Sequence, residues 1–218
     1  MRPSTIARAG LGVALVAMLA APALYAQNPA HAHMGHVADG FRGTPDGQGL
    51  LPTAVAEAEV AAQHAGFAAR DPSNLDGMKR HMGHVLHALD PSQVEGGPGL
   101  GYGVKAAAEG VVRHIELAAG SDGASDAVKT HSNHVATAAR HAAAMADEAI
   151  TVAKEIQAAT DAGAAAEMLE RLVALTDAIA NGMDADGNGR VGWQEGEGGL
   201  AQATQHMNLM KRAEGMGG

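Results

Sequence analysis

Residues 58–85 read AEVAAQHAGFAARDPSNLDGMKRHMGHV, and residues 108–135 read AEGVVRHIELAAGSDGASDAVKTHSNHV. The two stretches align without a gap at an offset of fifty. Shared positions include Ala58/Ala108, Glu59/Glu109, His64/His114, Ala68/Ala118, Asp76/Asp126, Lys79/Lys129, His81/His131, His84/His134 and Val85/Val135. An internal repeat acts as a second sequence against which the first is compared. Histidine dominates what the two copies keep. A third His-x-x-His-Val stands earlier as His33, His36 and Val37, worded like residues 81–85.

Each copy reads as two helices around a tight break. Asp71-Pro72-Ser73-Asn74 breaks the first copy, and Gly120 to Gly123 turns the second. Helices are expected over 53–69, 74–89, 104–119, 125–160, 164–181 and, more weakly, 200–212. No segment alternates as a strand would. The fourth helix has the clearest period: Val128, His131, Val135, Ala138, Ala142, Met145, Ala149, Val152 and Ile156 step by three and four. This places His131 in the apolar seam, facing inward. The expected fold is all-α: an antiparallel four-helix bundle over 53–160, made of two tandem hairpins of about fifty residues (53–89 and 103–160). An irregular leader, 27–52, carries the first His-x-x-His, and a single helix–loop–helix unit over 164–213 follows the bundle.

Within one hairpin, His64 precedes the turn by about as many residues as His81 follows it, and His84 lies one turn further on. One hairpin can therefore aim three imidazoles at one point. The second would do the same with His114, His131 and His134. Three imidazoles suit zinc or copper, with water or a further ligand completing the shell. His33 and His36 are possible additional ligands. The ions could sit singly or as a pair. A b-type haem held between two histidines is the alternative cofactor; covalent haem is excluded because the chain has no cysteine. A structural or pH-responsive histidine cluster, and an enzyme using a three-histidine metal, are further readings. No general base or substrate pocket is recognisable, so no catalytic residue is named.

Other residues are weaker candidates. Glu59 and Glu109 are repeated but lack the Glu-x-x-His spacing of a di-iron site, and read as outer partners or solvated groups. His87 and His141 have no counterpart in the other copy. His31 and His206, with Met34, Met82, Met207 and Met210, could catch a soft ion, although gap-filling is the default for methionine.

Asp184-Ala185-Asp186-Gly187-Asn188-Gly189-Arg190-Val191-Gly192-Trp193-Gln194-Glu195 resembles the calcium-binding loop of the EF-hand family. The resemblance implies Ca²⁺ held by Asp184, Asp186, Asn188, the Arg190 carbonyl and Glu195, with Gly189 at the sharp turn and Val191 packing. Gly196, Gly198 and Gly199 depart from it by weakening the exiting helix, and no second loop accompanies this one.

Residues 1–26 read as a secretory signal peptide: Arg2 and Arg8, an apolar run from Leu11, then Leu24-Tyr25-Ala26. Export to the periplasm or outside the cell is expected, with no membrane span after cleavage. The net charge of −9 and the lack of a basic patch argue against nucleic acid. Metal ions are the expected partners, with a periplasmic metal-handling protein as a possible one. Aromatic residues are 2% of the chain, so the core must come from close helix approach around alanine.

Overall fold

The computed structural model describes residues 28–217, and the signal-peptide expectation lies outside them. Among the described residues the protein is all-helical. Seven α-helices run α1 Pro29–Ala38, α2 Leu50–Ala69, α3 Leu75–Leu89, α4 Val104–Gly120, α5 Asp126–Ala158, α6 Ala162–Asn181 and α7 Leu200–Ala213. Two short 3₁₀ turns, Pro45–Gly47 and Pro91–Gln93, lie in the connections.

Local signals set the ends. The Asn74 side chain accepts from Gly77 N at 2.8 Å and caps α3. Ser125 Oγ accepts from Val128 N at 3.1 Å and caps α5, and Asp161 caps α6. Pro52 sits in the first turn of α2, where its missing N–H costs no helical bond.

The leader is the first correction. Residues 29–38 form a ten-residue helix, not an irregular segment. Asn28 caps it and Pro29 opens it, a strong start signal. Ala30, Met34 and Val37, spaced by four and three, are fully buried. That stripe docks α1 mainly on α4.

The four repeat helices pack together: α2 against α3 and α4, and α5 against α3 and α4. Where the sequence reading stopped the core at four helices, it takes in all seven. Helix α6 packs on α2 and α5, and α7 packs on α5. One continuous apolar cluster runs from Ala30 to Met210. Much of it is alanine, so helix axes come close and a single added methyl would be felt.

The loop between α3 and α4 is held from below by one carboxylate. Glu57, fully buried on α2, accepts from Leu100 N (3.2 Å), Tyr102 N (2.8 Å) and Gly103 N (2.9 Å). Gly99 and Gly103 have φ of 111° and 87°, which lets three backbone N–H groups converge on it. Charge-assisted bonds of this kind are the strong ones. The corresponding residue of the second copy is Ala107. No helix among the described residues is long and apolar enough to cross a membrane.

Candidate metal centre

Nine of the twelve histidines gather into three triads: His33, His36 and His114; His64, His81 and His84; His131, His134 and His206. Each triad joins two helices. One supplies a His-x-x-His pair (α1, α3 or α5) and the other a single histidine (α4, α2 or α7).

The geometry repeats closely. His64 Nδ1 stands 3.0 Å from His81 Nδ1 and 3.2 Å from His84 Nδ1. His114 Nδ1 stands 3.1 Å from His33 Nδ1 and 3.3 Å from His36 Nδ1. His206 Nδ1 stands 3.1 Å from His131 Nδ1 and 3.2 Å from His134 Nδ1. In all three places the single histidine is the hub, and all nine facing atoms are Nδ1.

Three ring nitrogens turned toward one another cannot all be satisfied by shared protons, because a neutral imidazole nitrogen either donates once or accepts. A cation between them satisfies all three. Two nitrogens bound to one ion at 2.0–2.1 Å lie roughly 2.9–3.3 Å apart for angles between about 90° and 109°. The observed separations fall in that range. These triads could each hold a metal ion.

Helix periodicity explains why the imidazoles are half-buried. Within each His-x-x-His pair the next residue is buried (Met34, Met82, Ser132), as is the valine that follows the second histidine (Val37, Val85, Val135). The residues beside the hubs (Ala65, Ile115, Met207) are also buried. Each histidine therefore stands about 100° around its helix from the buried stripe, at the rim of a helix interface. This corrects the inward placement of His131: Ser132, beside it, faces the core instead. It also removes Met34, Met82, Met207 and Met210 from the ligand candidates, since all four lie in the core.

The rim disfavours the charged form of six of these imidazoles. Burial, followed by the nearby His36 or His84 charge, lowers the pKa of His33 and His81. Burial and then both triad partners lower His64 and His114. Burial and then His131 lower His134, and burial with both neighbours pushes His206 down to about 4. Neutral imidazole is the form a metal needs.

The grouping differs from the sequence reading in one respect. His64, His81 and His84 come together within one hairpin. His114 does not join His131 and His134. It faces α1 and meets His33 and His36, while His131 and His134 face α7 and meet His206. The second hairpin still packs, but α1 covers α4 and α7 covers α5, and each brings its own imidazoles. His33 and His36 are thus two-thirds of a triad, not extra ligands. His206, a weaker candidate by sequence, stands on the well-formed α7 and is the third hub. A signal for it exists: Ala203-x-Gln205-His206 repeats Ala61-x-Gln63-His64, with Arg212 matching Arg70 six residues on.

The remaining candidates lie elsewhere. Glu59 and Glu109 are exposed on α2 and α4. His87 is buried with Nδ1 3.5 Å from the Val94 carbonyl oxygen. His141 Nδ1 donates to the Gly198 carbonyl oxygen at 2.8 Å. His31 Nε2 lies 2.8 Å from Glu214 Oε2.

In the loop between α6 and α7, Asp184 and Asp186 come together with Glu197, not with Glu195. Asp184 accepts from Asn188 N (3.0 Å) and Gly189 N (2.9 Å), and Asn188 Oδ1 accepts from Arg190 N (2.9 Å). Glu197, 7% exposed, accepts from Gly192 N at 2.9 Å, whereas Glu195 is exposed. Helix α7 begins only at Leu200, after the glycines at 196, 198 and 199. Residues 196–199 therefore extend the loop instead of starting a helix.

The chain matches no described protein family, no curated protein and no solved structure, so its chemistry rests on its own residues.

Proposed function

We propose that this is an exported protein that binds a transition metal, copper or zinc, in three trihistidine sites, for sequestration, delivery or sensing. The observation that carries this reading is the threefold recurrence of one hub Nδ1 within 3.0–3.3 Å of two others. Imidazole donors with no thiolate suit zinc, copper, iron or nickel, and the first two fit a shell of three nitrogens plus one further ligand best. The donor set of each triad is histidine alone. The same spacing gives haem no support, because two imidazoles on opposite faces of an iron stand about 4 Å apart, twice a metal–nitrogen bond of ~2.0 Å.

The test is elemental analysis of the purified chain after loading with Zn²⁺ or Cu²⁺ and desalting. Three equivalents are expected, falling to one when His81 and His131 are both replaced by alanine. Unchanged stoichiometry in that double variant overturns the assignment.

Calcium in the 184–197 loop belongs to the same proposal. Its support is the resemblance of residues 184–195 to the EF-hand loop, together with the carboxylates of Asp184, Asp186 and Glu197 gathered there. Hard oxygen donors suit Ca²⁺ and not the metals that imidazole prefers. A Ca²⁺-dependent rise in melting temperature, lost in Asp184→Ala, is the expected result. No rise with millimolar Ca²⁺ removes calcium from the proposal.

A further inference from the structure

The chain has only two Phe and one Trp, and all three stand against the triads. Phe41 packs edge-on against His36 and His114, with ring centroids 5.6 Å and 5.1 Å away. Phe67 lies 5.3 Å from His64 and 5.7 Å from His81. Trp193 stacks on His134 at 3.8 Å with planes 20° apart, and meets His206 at 6.3 Å. Each ring touches the hub and one member of the His-x-x-His pair, so it spans the seam between the two helices that share the triad. The rings arrive by different routes: the α1–α2 connection, α2 itself, and the loop before α7.

We propose that Phe41, Phe67 and Trp193 are positioning residues of the three metal sites. By walling one side of each triad they favour an ion satisfied by three imidazoles and one more ligand over one that keeps a larger water shell. This rests on the metal-binding reading above. An imidazole can turn Nδ1 or Nε2 toward an ion, and a ring packed on its face or edge fixes which nitrogen is presented. Edge-to-face and offset contacts supply that orientation. An apolar wall also offers no hydrogen bond to a metal-bound water, so each extra water ligand on that side is left short of a partner. Groups that orient metal-bound histidines typically change affinity by about 10–100-fold when removed.

The test uses the full chain carrying His114→Ala and His206→Ala, which leaves the His64, His81 and His84 site as the one intact triad. Zn²⁺ and Ni²⁺ are titrated with and without Phe67→Ala, and circular dichroism follows the helices. The expected result is unchanged helicity, zinc affinity lower by about tenfold, and a narrower preference for Zn²⁺ over Ni²⁺. If the parent binds Zn²⁺ and Phe67→Ala leaves both the affinity and the preference unchanged, the inference falls while the metal reading stands. If the parent takes up no Zn²⁺, both fall. Should Phe67→Ala lose helicity, Trp193→Ala in a chain carrying His64→Ala and His114→Ala decides instead, because Trp193 lies in the loop before α7 and not within a helix. The same shift in affinity and preference is expected there, and its absence overturns the proposal.

Discussion

The hairpins α2–α3 and α4–α5 share their turn position and three histidines each, yet they close different sites. In the first, hub and pair belong to the same hairpin. In the second, the hub looks to α1 and the pair looks to α7. A repeat fixes which residues stand on which turn of a helix. It does not fix which neighbour covers that face. In the first hairpin the hub on α2 and the pair on α3 face each other directly. The second is flanked on both sides, and each flank supplies the missing donors. The lesson is that a conserved donor pattern can outlive a conserved donor set.

The sharpest way to break this comparison is to delete hubs. His64→Ala, His114→Ala and His206→Ala should each remove one metal equivalent of three, measured by elemental analysis, and His114→Ala with His206→Ala should leave one. If His206→Ala removes none while His114→Ala abolishes binding at His131 and His134, the two hairpins are equivalent after all.

A second difference between the copies is Glu57 against Ala107. Glu57→Ala leaves three loop N–H groups without their acceptor. An unpaired buried group costs about 1–3 kcal/mol, so the unfolding free energy from urea denaturation should fall by at least that much, and the midpoint with it. An unchanged midpoint would show that the loop finds other acceptors.

Acid should separate the sites further. In the metal-free fold, burial lowers the pKa values of His33, His64, His81, His114 and His134 below the ordinary 6.5, and pushes His206 down to about 4. The unfolded chain binds more protons in this interval, so stability is full above pH 6.5 and declines as pH falls toward 4. Denaturation of metal-free protein at pH 7 and pH 4.5 should show the loss. A nuclear magnetic resonance titration should find the His206 ring titrating near 4, and an ordinary titration near 6.5 would contradict its burial at the α5–α7 rim.

The smallest effects are at the helix caps. Asn74→Ala and Ser125→Ala remove equivalent caps from α3 and α5, each at about 1 kcal/mol. Ser125 also donates to Glu214 Oε1 at 2.5 Å. Ser125→Ala should therefore cost more than Asn74→Ala in thermal melts, and equal losses would show that the contact to the end of α7 adds nothing.

The sequence displayed helices well because caps and periodicity are local: Asn74, Ser125 and the run from Val128 to Ile156 each act within a few residues. It displayed the histidine pairs equally well, since three copies of His-x-x-His-Val stand in plain view. It hid the partners. Joining His114 to His33 depends on α1 docking against α4, a contact between segments about eighty residues apart. Helix α1 is hard to read from sequence because its short stripe of Ala30, Met34 and Val37 sits among glycine and proline. His206 was hidden because α7 lies outside the repeat frame, although Ala203-x-Gln205-His206 repeats the first hub's surroundings. The aromatic walls were invisible for the same reason, since Phe41 and Trp193 reach their triads from loops.

Sequence separation gives the three triads different histories. The His64 hub lies 17 and 20 residues from its pair, whereas the others span 72 to 81. Closing an 81-residue span costs about 1.4 kcal/mol more chain entropy than closing one of 17. The middle triad is therefore the one an ion can assemble while the chain is still loose, tying α2 to α3 before either terminus has found its berth.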